Sequence, residues 1–188
     1  MDEENLAEKC DILSGFLAVL LMLFGYAKLV TATPLRPICD SRVMDKFIKE
    51  AKEAENAMTG FRGTLQLPDD VTLPATKVNF KEWHEMDRNL KAEEIWKGLT
   101  LFTSALLKAR DVTTDSATVY SIEKSYSNIR SITQILKSLD IQDAAASESS
   151  LHSLLTVRTL NEFFRVYANF VRGKVKLFIT EVCNGVKR

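Results

Sequence analysis

The run TLNEFFRVYANFVRGKVKLFITEVC, residues 159–183, decides the architecture of this chain. Leu160, Phe164, Tyr167, Val171, Val175, Phe178 and Val182 recur at steps of three and four, the spacing of one buried helical face. Thr159, followed three residues later by Glu162, is a capping box that starts such a helix. The spacing therefore predicts a helix over 160–183, which one apolar stripe suffices to join to a bundle. Outside that stripe, Arg165, Asn169, Arg172 and Lys176 follow one another at +4, +3 and +4. A second strip, Val166, Phe170, Gly173 and Leu177, runs beside them. An apolar strip rimmed by arginines has the make-up of a partner-binding surface. The pattern equally fits a strip packed under a long connection, with the arginines merely solvated. Gly173 costs about 1 kcal/mol against Ala inside a helix, which asks for a close approach there.

Working outward, three more segments carry helical periodicity. The first spans 40–58, with Met44, Phe47, Ala51, Ala54 and Met58 on its stripe and Asp40 as its cap. The second spans 86–109, with Ile95, Leu99, Phe102, Leu106 and Ala109 inward and Trp96 beside them. The third spans 118–139, with Val119, Ile122, Tyr126, Ile129 and Leu136 inward. Its outer strip of Ser127, Arg130, Ser131 and Gln134, taken alone, is an ordinary wet face. The first connection, 59–85, is long and holds Gly60, Gly63, Pro68 and Pro74. Residues 77–80, Lys-Val-Asn-Phe, could form a short extended piece in it. The second connection, 110–117, is short. The third, 140–158, is long and rich in Ala and Ser. Long, short, long is the connection pattern of an all-α, up-up-down-down four-helix bundle.

The bulk numbers suit one globular domain. The chain has 188 residues, 46% of them hydrophobic, with only seven Gly and four Pro. Its 25 basic and 25 acidic residues balance, which argues against nucleic-acid binding. Residues 12–27 are an uncharged apolar run, and Val30-Thr31-Ala32 ends it with small residues. This reads as a signal peptide over 1–32, cut after Ala32 or Thr33, leaving a domain over 33–188. Its first eleven residues are acidic, unlike most leaders, so a single-pass membrane anchor is the rival reading. Loss of the leader removes two lysines and five acids and leaves 23 basic and 20 acidic groups, a net charge of +3. Of three cysteines, Cys39 and Cys183 then remain, an even pair that reads as a disulfide in an exported chain. Two buried free thiols are the alternative, and they would suit an intracellular helical adaptor.

Catalytic chemistry has little support. His84 and His152 belong to no metal-ligand spacing, and no Gly-rich phosphate loop occurs. Glu93 and Glu94 fall within a helix and read as a solvated face. No enzyme activity, metal or cofactor is expected. No Asn-x-Ser/Thr triplet occurs, so no N-linked sugar is expected either.

Several strings are recognisable. Cys39-Asp40-Ser41-Arg42-Val43 and Glu50-Ala51-Lys52-Glu53-Ala54-Glu55-Asn56 resemble the first helix of the erythropoietin/thrombopoietin family of four-helix cytokines. Thr76-Lys77-Val78-Asn79-Phe80, with Trp83 following, resembles the loop before that family's second helix. Phe164-Arg165-Val166-Tyr167, Asn169-Phe170 and Arg172-Gly173-Lys174 resemble its last helix, and the likeness spans about 34–183 in order. The resemblance implies a secreted hormone, monomeric when free and not inserted in a membrane once its leader is cut. It would hold two copies of an erythropoietin receptor and activate the Janus kinases bound to them, supporting red-cell precursor survival and maturation. A high-affinity surface carries over to Lys52, Thr76, Lys77, Asn79, Arg165, Asn169, Phe170, Arg172 and Gly173. A weaker surface carries over to Arg42, Val43, Lys46, Phe47, Ser127, Arg130, Ser131 and Ile135. Phe61 and Leu65 stand where many members have a second small disulfide. Lys46 and Phe47 stand where the family often has Arg and Tyr, and Lys lacks the planar fork of Arg.

Overall fold

The end of each helix is set by local chemistry, and the described part of the chain contains several such ends. The computed structural model describes residue 22 and residues 39–59, 66–139, 141 and 154–186. The leader expected over 1–32 lies outside these residues save Met22, and so do Phe61 and Leu65. The first helix, α1 (Ser41–Thr59), starts where the Asp40 carboxylate accepts the Arg42 N–H at 2.9 Å. A strand, β1 (Gln66–Pro74), and a short helix, α2 (Phe80–Glu85), follow. Helix α3 (Arg88–Val112) is capped by Asp87, which accepts from the N–H groups of Asn89 and Leu90. Helix α4 (Ser116–Ser138) is capped by Asp115, which accepts from the Thr118 N–H and hydroxyl. Those bonds hold the Asp115 carboxyl below its ordinary range. A second strand, β2 (Leu154–Thr159), leads into α5 (Leu160–Phe170), a π-helical turn (Val171–Val175) and α6 (Lys176–Val186).

The capping box at 159–162 forms with one difference. Thr159 Oγ1 accepts the Glu162 N–H at 3.2 Å, but the Glu162 carboxylate reaches back to the Arg158 N–H, one residue further than expected. That bond, the largest of several influences, lowers the Glu162 pKa.

Cross-links between helices fix their directions. Cys39 bonds Cys183, and Asp45 pairs with Lys176 at 3.0 Å, so α1 runs against α6. Lys91 meets Glu181, Glu94 meets Lys174, and Gly98 meets Phe170, so α3 also runs against the last helix. Arg88 donates to the Leu139 carbonyl and Arg110 pairs with Glu123, so α3 and α4 are antiparallel. Hence α1 and α3 point one way, and α4 and the last helix point the other. The up-up-down-down bundle follows.

The all-α expectation needs one addition. Strands β1 and β2 pair antiparallel, with Val71 opposite Val157 and Leu73 opposite Leu155. The extended piece expected at 77–80 is not a strand; Phe80 already opens α2. The extended chain lies upstream, where Leu67, Val71 and Leu73 alternate inward. Its partner falls in the connection read as an Ala/Ser-rich link, at Leu-Leu-Thr-Val-Arg-Thr, where β-branched residues favour a strand.

The stripes of α1, α3 and the last helix are buried as read. That of α4 is rotated. Val119 and Tyr126 are only half-buried, while Thr118, Ser121, Ser125 and Asn128 join Ile122, Ile129, Ile132, Ile135 and Leu136 inside. Small polar residues can occupy this seam because Ser121 donates to the Ala117 carbonyl of its own helix, and the buried Tyr167 hydroxyl donates to the Ser125 carbonyl. At the centre, the Phe102 ring lies edge-on to Phe163 and Tyr167 at 5.7 and 5.6 Å and tilted against Phe170 at 5.2 Å.

Two variants test this arrangement. Cys183→Ser opens a link spanning 144 residues, so chemical denaturation is expected to show a loss of roughly 5 kcal/mol in the chain-entropy model. A Cβ on Gly98 would collide with the buried Phe170 ring, so Gly98→Ala is expected to cost about 1–3 kcal/mol and to lower the melting temperature.

Candidate functional surfaces

The last helix presents its exposed side as a row of cations. Arg165, Arg172 and Lys176 are exposed, and Asn169 between them is half-buried. The Arg172 guanidinium donates to Asn169 Oδ1 at 2.8 Å, which fixes both side chains on that face. Across the seam with α1, Arg172 and Ala168 share a groove of about 440 Å³ with Ile48, Lys49, Lys52 and Asn56. Lys52 is held there by Glu55 at 2.9 Å.

The loop before α2 joins this face at Gly173. A Cβ there would lie 3.8 Å from the Thr76 carbonyl oxygen and 3.9 Å from Val78 Cγ2. Lys174, one residue on, turns inward and donates to the Ala75 carbonyl at 2.7 Å. Thr76, Lys77 and Asn79 are thereby carried beside the last helix. Lys77 and Asn79 are exposed, and Asn79 caps α2 by accepting the Lys81 N–H. The π-helical turn falls at this junction, and such wide turns concentrate at functional sites.

The second surface forms between α1 and α4. Lys124 of α4 reaches Glu50 and Glu53 of α1 at 3.6 and 3.3 Å. From that fixed point, the opposed helices bring Lys46 level with Arg130. Ser127, Arg130 and Ser131 line one shallow depression with Tyr126 and Gln134. Arg42 lies further toward the start of α1, its guanidinium forked onto Asp40 at 2.8–3.1 Å. The fork draws the Asp40 carboxyl below its ordinary range.

Three expected surface residues are placed inside. Phe170 is 0% exposed, seated on Gly98 and Phe102; Phe47 is 5% and Ile135 3% exposed. Val166 is buried as well. Helix α3 meets Phe170 through Gly98 and Phe102, and β1 lies against α5 as well, so the second strip is core down to Phe170. These side chains shape the surfaces from beneath. Glu93 and Glu94, read as solvated, are also buried. Glu94 pairs with Lys174, and Glu93 with Lys97 at 2.7 Å. The partner of Glu94 lies eighty residues away on the last helix, beyond any local signal.

The fold and its two basic faces define a four-helix cytokine, a class of hormone that acts by binding and not by catalysis. The family model described as erythropoietin/thrombopoietin matches residues 36–185. Curated relatives include erythropoietin of Mus musculus, 40% identical over 89% of this chain and 91% of its own length. Erythropoietin of Oryctolagus cuniculus is 38% identical over 90% of this chain and 91% of its own, and that of Sus scrofa 38% over 94% and 96%. The chain belongs to the erythropoietin/thrombopoietin family.

The contacts at Gly173 are ordinary van der Waals distances, so the fold itself tolerates a methyl there. Gly173→Ala is expected to melt at or slightly above the parent temperature, because Ala is the better helix former by about 1 kcal/mol.

Proposed function

We propose that this cytokine is a secreted hormone that holds two copies of an erythropoietin receptor through two unequal surfaces. The leader over 1–32 is removed on export. The stronger surface combines the last helix with the loop before α2: Lys52, Thr76, Lys77, Asn79, Arg165, Asn169, Arg172 and Gly173 face the first receptor, with Phe170 packed behind them. The weaker one combines α1 and α4: Arg42, Val43, Lys46, Ser127, Arg130 and Ser131 face the second, backed by Phe47 and Ile135. Capture by the first surface is followed by recruitment at the second. The fixed spacing of the two receptors brings their kinases together and sustains red-cell precursors.

The observation that carries this reading is a pair of separate faces with spare positive charge. Lys77 on one, and Lys46 and Arg130 on the other, have no ion pair among the described residues. Exposed cations of this kind steer and orient an acidic partner. A bridge between Cys39 and Cys183 suits an oxidising, extracellular setting and does not suit the free-thiol adaptor.

Titration of residues 33–188 with a soluble receptor ectodomain, followed by light scattering, is expected to reach one ligand to two receptors. Arg130→Ala is expected to stop at one-to-one with first-site affinity within about twofold of the parent, and to abolish signalling in receptor-bearing cells. Equal losses of first-site binding and signalling in that variant would reverse the assignment of the two surfaces.

A further inference from the structure

The stronger surface relies on residues 75–86, which have little regular structure beyond the six-residue α2. Two buried lysines reach this segment from beneath. Lys174 is 6% exposed; its Nζ donates to the Ala75 carbonyl and pairs with the buried Glu94 of α3. Lys91 lies with Nζ 5.6 Å from the centre of the Trp83 ring and 2.7 Å from a Glu181 carboxylate oxygen. Each lysine thus ties one end of the segment to the bundle. A buried ion pair is a weak source of stability, and an apolar pair of similar volume would serve the core as well. An ammonium adds what an apolar side chain lacks: three donors, able to hold a carboxylate and a backbone carbonyl together. The carbonyl held by Lys174 belongs to the residue before Thr76, whose own carbonyl rests against Gly173.

We propose that Lys174 and Lys91 are positioning residues of the stronger surface, two clasps that order residues 75–86 before the receptor arrives. The inference rests on the surface assignment made above. A loop already held in its bound shape loses less conformational freedom on binding, so the clasps raise affinity without touching the partner.

The test uses Lys174→Met together with Glu94→Gln, which leaves no unpaired buried charge. Lys91→Met is a second variant, whose former partner Glu181 is half exposed and stays hydrated. Melting curves and amide exchange are read beside one-to-one affinity for the soluble ectodomain. Faster exchange confined to 75–86 is expected, with affinity weaker on the order of tenfold. Lys77→Ala is expected to cost less in the unclasped background than in the parent, and Arg165→Ala the same in both. Parent-like affinity despite faster loop exchange, or an unchanged cost for Lys77→Ala, would overturn the clasps. If Lys77→Ala and Arg165→Ala both bind like the parent, the surface assignment itself falls and takes the proposal with it; the exchange data tell the two failures apart.

Discussion

Much in this molecule depends on how the last helix is joined to α3. The absence of a side chain at Gly98 lets the Phe170 ring occupy the place of a Cβ, so that the ring spans the gap between the two helices. On the same seam Phe102 touches three rings of α5 at once, and the long side chains meet across it. Lys174 meets Glu94, and Lys91 meets Glu181, further along the same antiparallel seam. Interiors are packed like organic crystals, so a displacement at one point of such a seam is felt along it. The loop at 75–79 is tied to that seam through Lys174, and the exposed Lys77 and Asn79 lie in that loop. A steric fact in the core thus becomes a fact about the surface.

The two faces share α1 as a common strut. On one side it meets the last helix at Lys52 and Arg172; on the other it meets α4 around Lys124. On the proposed function, two receptors held at once would need a constant angle between the faces. The Cys39–Cys183 bridge and the Asp45–Lys176 pair lock α1 to the last helix at one end of the bundle. The strand pair locks the two long connections to each other, with Arg158 forked onto Asp70 across it. Under that proposal, stiffness of this kind would be the protein's whole contribution.

The helices and their inward stripes were legible because a period of 3.6 residues survives in Met44, Phe47, Ala51 and in Leu160, Phe164, Tyr167 without knowledge of neighbours. Bundle direction was legible because a long link can span the bundle and a short one cannot. The second strip of the last helix was not, because periodicity marks an apolar residue and does not say what covers it. Val166 and Phe170 look surplus until α3 and the first connection are in place. Buried ions were hidden for the same reason: Glu94 and Lys174 resemble any solvated helical charges, and only the fold brings them together. Strand β2 carried a usable sign in Thr156, Val157 and Thr159, but its partner lies far upstream, and a single short strand has no meaning alone. The surface residues rested on resemblance, which at Phe47, Phe170 and Ile135 carried over buried side chains along with exposed ones.

The bridge between Cys39 and Cys183 has one more consequence. It encloses nearly the whole bundle in a covalent ring, with every described strand and the first five helices inside it. A protease that nicks one peptide bond within the ring produces a new pair of termini and leaves one covalent molecule. The two pieces stay joined by sulfur near their old ends. Two fragments would separate only after reduction, so in an oxidising fluid a single backbone cut need not end the life of the hormone.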